Sequence, residues 1–247
     1  MKLSGNTVLI TGGASGIGLA LASRFLQREN EVVICGRREE MLRQAKESFP
    51  SLHIRACDVA DPGQRADLAQ WAAAEFPALN VLVNNAGIQR KVDLTEQEDW
   101  DAIRTEIATN LEAPIHLTQL FHPQLDRQED AAIINITSGL SFVPLANVPV
   151  YCATKAALHS FTLSTRWQLK DTSIEVIELI PPAVDTDLQA PGLHTFGVNV
   201  DKFADAVFDG LEQGSSEIAY GTADISRRSS RGQLDMIFDR MNSTMPN

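Results

Sequence analysis

Short apolar runs rich in β-branched residues recur along the chain, at residues 7–11, 31–35, 53–57, 81–83, 132–137, 174–179 and 217–220. Longer stretches between them place apolar residues at helical spacing. Leu19, Ala22, Phe25 and Leu26 form one such stripe, and Leu68, Trp71, Ala72 and Phe76 another. Continuous apolar strands suit a sheet buried on both faces, and the alternation with amphipathic helices makes that sheet parallel. Right-handed crossovers then predict a doubly wound α/β fold, a seven-stranded parallel sheet with helices on both faces.

No linker rich in Pro, Gly or Ser divides the chain, so one domain over residues 1–247 is expected. Its two halves meet near residue 130. Two loops lie where the carboxyl ends of strands would open a ligand crevice. Residues 140–149 are apolar. Residues 187–200 include Pro191, Gly192, Phe196 and Gly197 and show no period. The polar stretch 226–232 reads as a solvated turn before a last helix at 233–241.

Composition narrows the function. The net charge of −11 offers no basic face for a phosphate backbone, which excludes the nucleic-acid binders. Cys35, Cys57 and Cys152 are odd in number and lack metal-ligand spacing, which points to free thiols in a reducing cytoplasm. The first residues carry too short an apolar run for a signal peptide, and no stretch approaches a membrane span. His53, His116, His122, His159 and His194 form no His-Glu-x-x-His pair, so no metal site is expected. His194, in the second loop, reads as solvated or as a substrate contact.

The first strand run leads directly into Thr11-Gly12-Gly13-Ala14-Ser15-Gly16-Ile17-Gly18 and then a helical stretch. Glycines here let backbone approach a ligand, and the helix start offers N–H groups to a pyrophosphate. No Lys-Ser or Lys-Thr follows, which excludes a P-loop. The second run ends in Gly36-Arg37-Arg38, where an NAD enzyme usually has an acid for the ribose hydroxyls. Two guanidinium groups suit a 2′-phosphate instead, so NADP(H) is expected over NAD(H). The competing reading has Arg37 and Arg38 pairing with Glu39 or Glu40 at a surface helix.

Tyr151 and Lys155 stand four residues apart in a stretch of helical composition, hence on one helix face. A phenol titrates near pH 10, and a neighbouring ammonium and a nicotinamide cation both favour the phenolate. Such a tyrosine is expected to ionise more readily and to exchange a proton with a carbonyl or alcohol. Ser138 closes the fifth run, and Asn110 lies in a helical stretch before it.

The Thr-Gly-x-x-x-Gly-x-Gly turn and the ordered Asn110, Ser138, Tyr151 and Lys155 resemble the short-chain dehydrogenase/reductase family in its classical branch, from Leu3 to about Gly221. The resemblance implies a Rossmann-type fold and hydride transfer between a nicotinamide cofactor and a carbonyl or alcohol. It gives Tyr151 the role of general acid/base. Ser138 would hydrogen-bond the substrate oxygen, Lys155 would also hold the nicotinamide ribose, and Asn110 would hold a relay water. Cofactor contacts are expected from Gly12, Ser15, Gly16, Ile17 and Gly18, from Arg37 and Arg38, and from Asp58 and Val59 beside the adenine. Others are expected from Asn85, Ala86 and Gly87 of the Asn-Asn-Ala-Gly run, and from Pro181, Val184 and Thr186. Pro182 departs from the family's usual glycine. The run Pro-Pro-Ala-Val-Asp-Thr resembles a DltE-like bacterial branch.

The two apolar loops contain no Lys or Arg, so the expected substrate is small and uncharged. The family's habit of pairing through the helices around Asn110 and Tyr151 implies a homodimer or homotetramer, with Leu117, Leu120, Phe121, Leu158, Phe161 and Leu163 supplying apolar surface. Two other classes compete. A cofactor-binding sensor without catalysis would lack the Tyr/Lys pair. A sugar-nucleotide epimerase is expected to carry more sequence beyond the seventh run.

Overall fold

A computed structural model describes residues 1–186, 188 and 195–243. The expected loop residues Asp187, Pro191, Gly192 and His194 lie outside the described residues. Seven strands form one sheet: β1 (Thr7–Thr11), β2 (Glu31–Gly36), β3 (His53–Ala56), β4 (Leu79–Asn84), β5 (Ala131–Ile136), β6 (Ile174–Ile180) and β7 (Glu217–Ala219). Every pairing is parallel, in the order β3-β2-β1-β4-β5-β6-β7. The order reverses between β1 and β4, which opens a crevice at their carboxyl ends.

The period of two along each strand sorts side chains between two cores. Val8 and Ile10 of β1 join Ala132, Ile134 and Ile136 of β5 in one core. That face is covered by α1 (Gly16–Gln27), α2 (Glu39–Ser48) and α7 (Val200–Glu212), through Phe25, Leu42 and Phe208 among others. Leu9 and Ile133 face the other way, onto α3 (Pro62–Glu75) and α5 (Ala113–Leu125), which bring Leu68, Phe121 and Leu125. The expected doubly wound sheet is what forms.

Helix starts follow their sequence signals. Asp61 caps α3 by accepting from Gly63 N at 2.7 Å, with Pro62 in the first turn. Asp99 caps α4 (Trp100–Ile107) in the same way. A π turn at residues 108–112 then joins α4 to α5. Helix α6 (Pro149–Gln168) begins on Pro149 and is tied to the sheet by a buried polar ladder. Asn84 Nδ2 donates to Asn135 Oδ1 at 2.8 Å, and Asn135 Nδ2 donates to Thr162 Oγ1 of α6 at 3.0 Å.

Two expectations are corrected. Residues 226–228 are not a solvated turn but the end of α8 (Thr222–Arg228). Ser226 is buried there, and Arg227 reaches Glu217 Oε2 at 2.9 Å, so charge pairing takes the place of an apolar stripe. The last helix, α9, is longer than expected, at Arg231–Ser243. Of the apolar residues assigned to a surface, Leu117, Phe121 and Leu158 are buried, while Leu163 is exposed. Among the described residues, no helix is long and apolar enough to cross a membrane.

Candidate active site

The turn after β1 is built on its glycines. Gly12 and Gly16 adopt φ of 63° and 54°, where an L side chain is strained. A Cβ on Gly18 would lie 2.5 Å from Gly12 O, so nothing larger fits where α1 packs on the turn. Ser15 precedes α1 without a side-chain cap, leaving the first N–H groups of the helix open to an anion.

Thr11 and Asn85 lock this turn to the end of β4. Thr11 Oγ1 accepts from the backbone N–H of Asn85 and of Ala86, each at 3.0 Å. Asn85 Nδ2 donates to Thr11 O at 2.8 Å and to Gly12 O at 3.1 Å. Asn85 thus lines the crevice while its amide braces the scaffold.

A cavity of about 390 Å³ runs along the carboxyl ends of the strands. Its walls take in the expected Gly12, Ser15, Gly16, Ile17, Arg37, Arg38, Asp58, Val59, Asn85, Ala86, Gly87, Tyr151, Lys155, Pro181 and Thr186. Gly18 lies behind the turn. Val184 turns into the core, in a parallel bridge with Val198. Thr186 stands over the glycine turn, its Cγ2 3.2 Å from where a Gly16 Cβ would be.

Charge pairing around the second strand takes up both glutamates. Glu39 and Glu40 both go to Arg43, at 2.8 and 3.7 Å. Arg37 and Arg38 are exposed at the cavity wall, and neither makes an ion pair among the described residues. Asp58 Oδ1 accepts from Ala60 N at 3.0 Å, so it shapes its turn as well as the wall.

Tyr151 and Lys155 share the inner face of the first turns of α6 and are both buried. Lys155 Nζ donates to Ile136 O at 2.7 Å and lies 5.6 Å from the Tyr151 ring centre. Burial lowers the lysine pKa to about 8. Burial also pushes the Tyr151 phenol well above its ordinary range, while a hydrogen bond from Ser138 works the other way. The expected easier ionisation of Tyr151 is therefore corrected for the protein's own groups: desolvation outweighs what they supply.

Ser138 is buried at the end of β5, where its Oγ accepts from Leu140 N at 3.1 Å. Asn110 sits in the π turn with no exposed surface. Its Oδ1 accepts from Ile88 N at 2.9 Å, and its Nδ2 donates to Ile88 O at 2.8 Å. A Cβ on Gly87 would lie 3.5 Å from Asn110 Oδ1 and 3.8 Å from Lys155 Nζ, so these two residues converge behind Gly87. Of the four expected catalytic residues, Tyr151 and Lys155 line the cavity, while Ser138 bonds Tyr151 and Asn110 packs behind Gly87.

Sequence reasoning missed the wall formed by Ile88, Gln89 and Arg90. The signal was available, because these residues directly follow the Asn-Asn-Ala-Gly run at a strand's carboxyl end. Arg90 places a cation there, its Nη1 donating to Ala102 O at 2.6 Å.

Comparison with known proteins agrees with this geometry. The sequence profile of the family described as short chain dehydrogenase matches residues 6–195. The uncharacterized oxidoreductase DltE of Bacillus subtilis (strain 168) is 50% identical over 249 residues, spanning 98% of this chain and 99% of that protein. The NADP-dependent 3-hydroxy acid dehydrogenase YdfG of Escherichia coli (strain K12) is 32% identical over 181 residues, 72% of each chain. Among solved structures, a short chain dehydrogenase from Burkholderia cenocepacia J2315 in complex with NADP has a TM-score of 0.85 at 27% identity, covering 100% of both chains. The expected family and its DltE-like branch are borne out.

Proposed function

Because the chain belongs to the short chain dehydrogenase family, we propose that it is an NADP(H)-dependent oxidoreductase interconverting a small uncharged carbonyl compound and its alcohol, with Tyr151 as general acid/base. The observation that carries this reading is that one cavity is lined by both Tyr151 with Lys155 and the glycine turn, with Ser138 bonded to Tyr151 and Asn110 packed behind Gly87.

The residues present fit a phosphorylated dinucleotide. Gly12, Gly13 and Gly18 leave no room for a Cβ, α1 begins without a side-chain cap, and Arg37 and Arg38, exposed at the cavity wall and without an ion pair among the described residues, could take a 2′-phosphate. When bound, the nicotinamide would supply or accept the hydride. In the reducing direction the Tyr151 hydroxyl donates its proton to the carbonyl oxygen, which the Ser138 hydroxyl orients. In the oxidising direction Tyr151 takes that proton back. With its pKa lowered by burial to about 8, Lys155 keeps much of its charge near neutrality, and an ammonium beside a phenol favours the phenolate without overcoming the burial that holds the proton on Tyr151. A water between Asn110 and Lys155 would return the proton. A second copy of the chain, docked through exposed residues of α5 and α6, completes the proposal.

Arg90 favours a second reading of the substrate. It puts a cation on the cavity wall, without an ion pair among the described residues, and suits a carboxylate. The printed name of the E. coli relative, a 3-hydroxy acid dehydrogenase, fits that reading.

The test follows nicotinamide absorbance with NADPH and a panel of uncharged and carboxylated carbonyls. Turnover should appear in the wild type and fall by about 10²–10⁴ in Tyr151→Phe, with NADPH binding kept. Comparable turnover in Tyr151→Phe would end the proposal, and exclusive use of carboxylated substrates would select the second reading.

A further inference from the structure

Among the described residues, the buried polar side chains that line the cavity have partners inside the protein, with one exception. Thr109 Oγ1 donates to Thr105 O at 2.8 Å, Thr137 Oγ1 to Glu178 Oε1 at 2.6 Å and Lys155 Nζ to Ile136 O at 2.7 Å, while Tyr151 bonds Ser138. Gln89 lines the same cavity and is 7% exposed, yet its side-chain amide makes no hydrogen bond among the described residues. The Glu106 carboxyl is also without partners, but both of its oxygens are sealed in the interior; the Gln89 amide is not sealed and meets the open space of the cavity. A buried amide left in that state costs stability, so an apolar residue would serve packing better unless something enters to bond it.

The chain on either side of Gln89 fixes which part of the cavity the amide meets. A Cβ on Gly87 would lie 3.8 Å from Lys155 Nζ. Ile88 is held by Asn110 through both its N–H and its C=O, and Asn110 Nδ2 also donates to Thr154 Oγ1 of α6 at 3.2 Å. Beyond Gln89, Arg90 Nη1 donates to Ala102 O of α4 at 2.6 Å, and Val92 N donates to Asn147 O at 3.1 Å. Residues 87–92 therefore run from Lys155 to the loop that precedes Tyr151, with Gln89 between the tethers. Arg37, Arg38 and Asp58 follow β2 and β3, on the other side of the glycine turn. Backbone tethered on both sides needs little further ordering when a ligand arrives.

We propose that Gln89 is a specificity-determining residue whose amide hydrogen-bonds a second oxygen of the substrate, beyond the carbonyl that is reduced. The preferred compounds are then oxygenated ketones or aldehydes, not plain hydrocarbon ones. This rests on the reading of the cavity as the substrate site of a carbonyl reductase. Gln89 Nε2 can donate to an ester oxygen or to a carboxylate, and Arg90 on the same wall adds its charge to the carboxylate alone. A site built to bond an oxygen disfavours the analogue that lacks it, because the buried amide is then left unpaired.

Three ketones of similar size test this: methyl butyl ketone, methyl acetoacetate and acetoacetate. With NADPH, the wild type should favour one of the two oxygenated probes over the plain ketone by at least about tenfold in kcat/KM. Gln89→Leu should erase that preference, mainly through KM, with NADPH affinity kept. Gln89→Met carries the test if the leucine variant does not fold. Binding of the same probes to the NADP⁺-loaded protein, which cannot reduce them, reads the preference without turnover. Whichever oxygenated probe wins identifies the oxygen as ester or carboxylate. A wild type without preference in binding and turnover, or a preference unchanged in the variants, would overturn the proposal. So would a loss of NADPH affinity as large as the loss for the probe, which would assign the amide to the cofactor. Failure of the underlying reading looks different: Tyr151→Phe would keep its activity while Gln89→Leu still changed which probe binds.

Discussion

Arg37 and Arg38 show how neighbours settle what a side chain is free to do. A guanidinium beside two glutamates invites a surface ion pair, yet Glu39 and Glu40 lie on the flank of α2 that Arg43 occupies one turn later. The two arginines are left at the cavity wall with their donors available. A 2′-phosphate would take charge-assisted hydrogen bonds worth about 1.5–3 kcal/mol each. The double variant Arg37→Ser, Arg38→Ser is therefore expected to weaken NADPH binding by at least about tenfold and to leave NADH binding nearly unchanged. Fluorescence titration with both cofactors measures this. Equal losses for the two would show that the arginines do not read the phosphate.

Strand β6 carries a second buried acid whose pairing has a pH signature. Glu178 holds Thr137 next to Ser138 and pairs with His159 of α6, whose pKa is raised mainly by that hydrogen bond. A raised histidine pKa contributes stability that is fully present below the unfolded value of about 6.5 and is lost as pH rises through the folded value. Urea midpoints at about pH 6 and about pH 9 should thus differ less in His159→Gln than in the wild type. An equal difference in both proteins would rule out this linkage. The same element scale explains what could be read from the sequence. Central strands β1 and β5 are buried along their whole length, so their apolar runs were plain. The glycine turn and the order Asn110, Ser138, Tyr151, Lys155 are local chemistry, and local chemistry is legible. The π turn at Asn110 is not, because an extra residue in a helical turn leaves no compositional mark. Glu106 is not either: in Trp-Asp-Ala-Ile-Arg-Thr-Glu-Ile it reads as one more charge on a solvated helix. Only the packing of α4 on α6 takes it inside. Helix α8 escaped notice because its arginines make ion pairs rather than an apolar stripe.

At the scale of the molecule, two forces oppose one another when copies meet. The net charge of −11 repels a second chain, and this repulsion is screened over about 10 Å at 0.1 M salt. Exposed apolar side chains on the helices around the site pull the other way. Leu163 and Trp167 stand one turn apart on α6 with 41% and 73% exposure, and Ile115 on α5 has 39%. Large apolar side chains spaced by one helical turn on an open face are the means of helix-to-helix association. Burial of each such side chain contributes about 1.5–3 kcal/mol. Screening removes the repulsion but not the apolar attraction, so assembly should tighten as salt rises, the reverse of what an interface of opposite charges would do. Sedimentation equilibrium at low and moderate salt is expected to show a dimer or tetramer. Leu163→Glu should shift the distribution toward monomer, because it places a charge where the apolar face must dehydrate. A wild-type chain that sediments as a monomer at every salt concentration would remove the second copy from the proposed function.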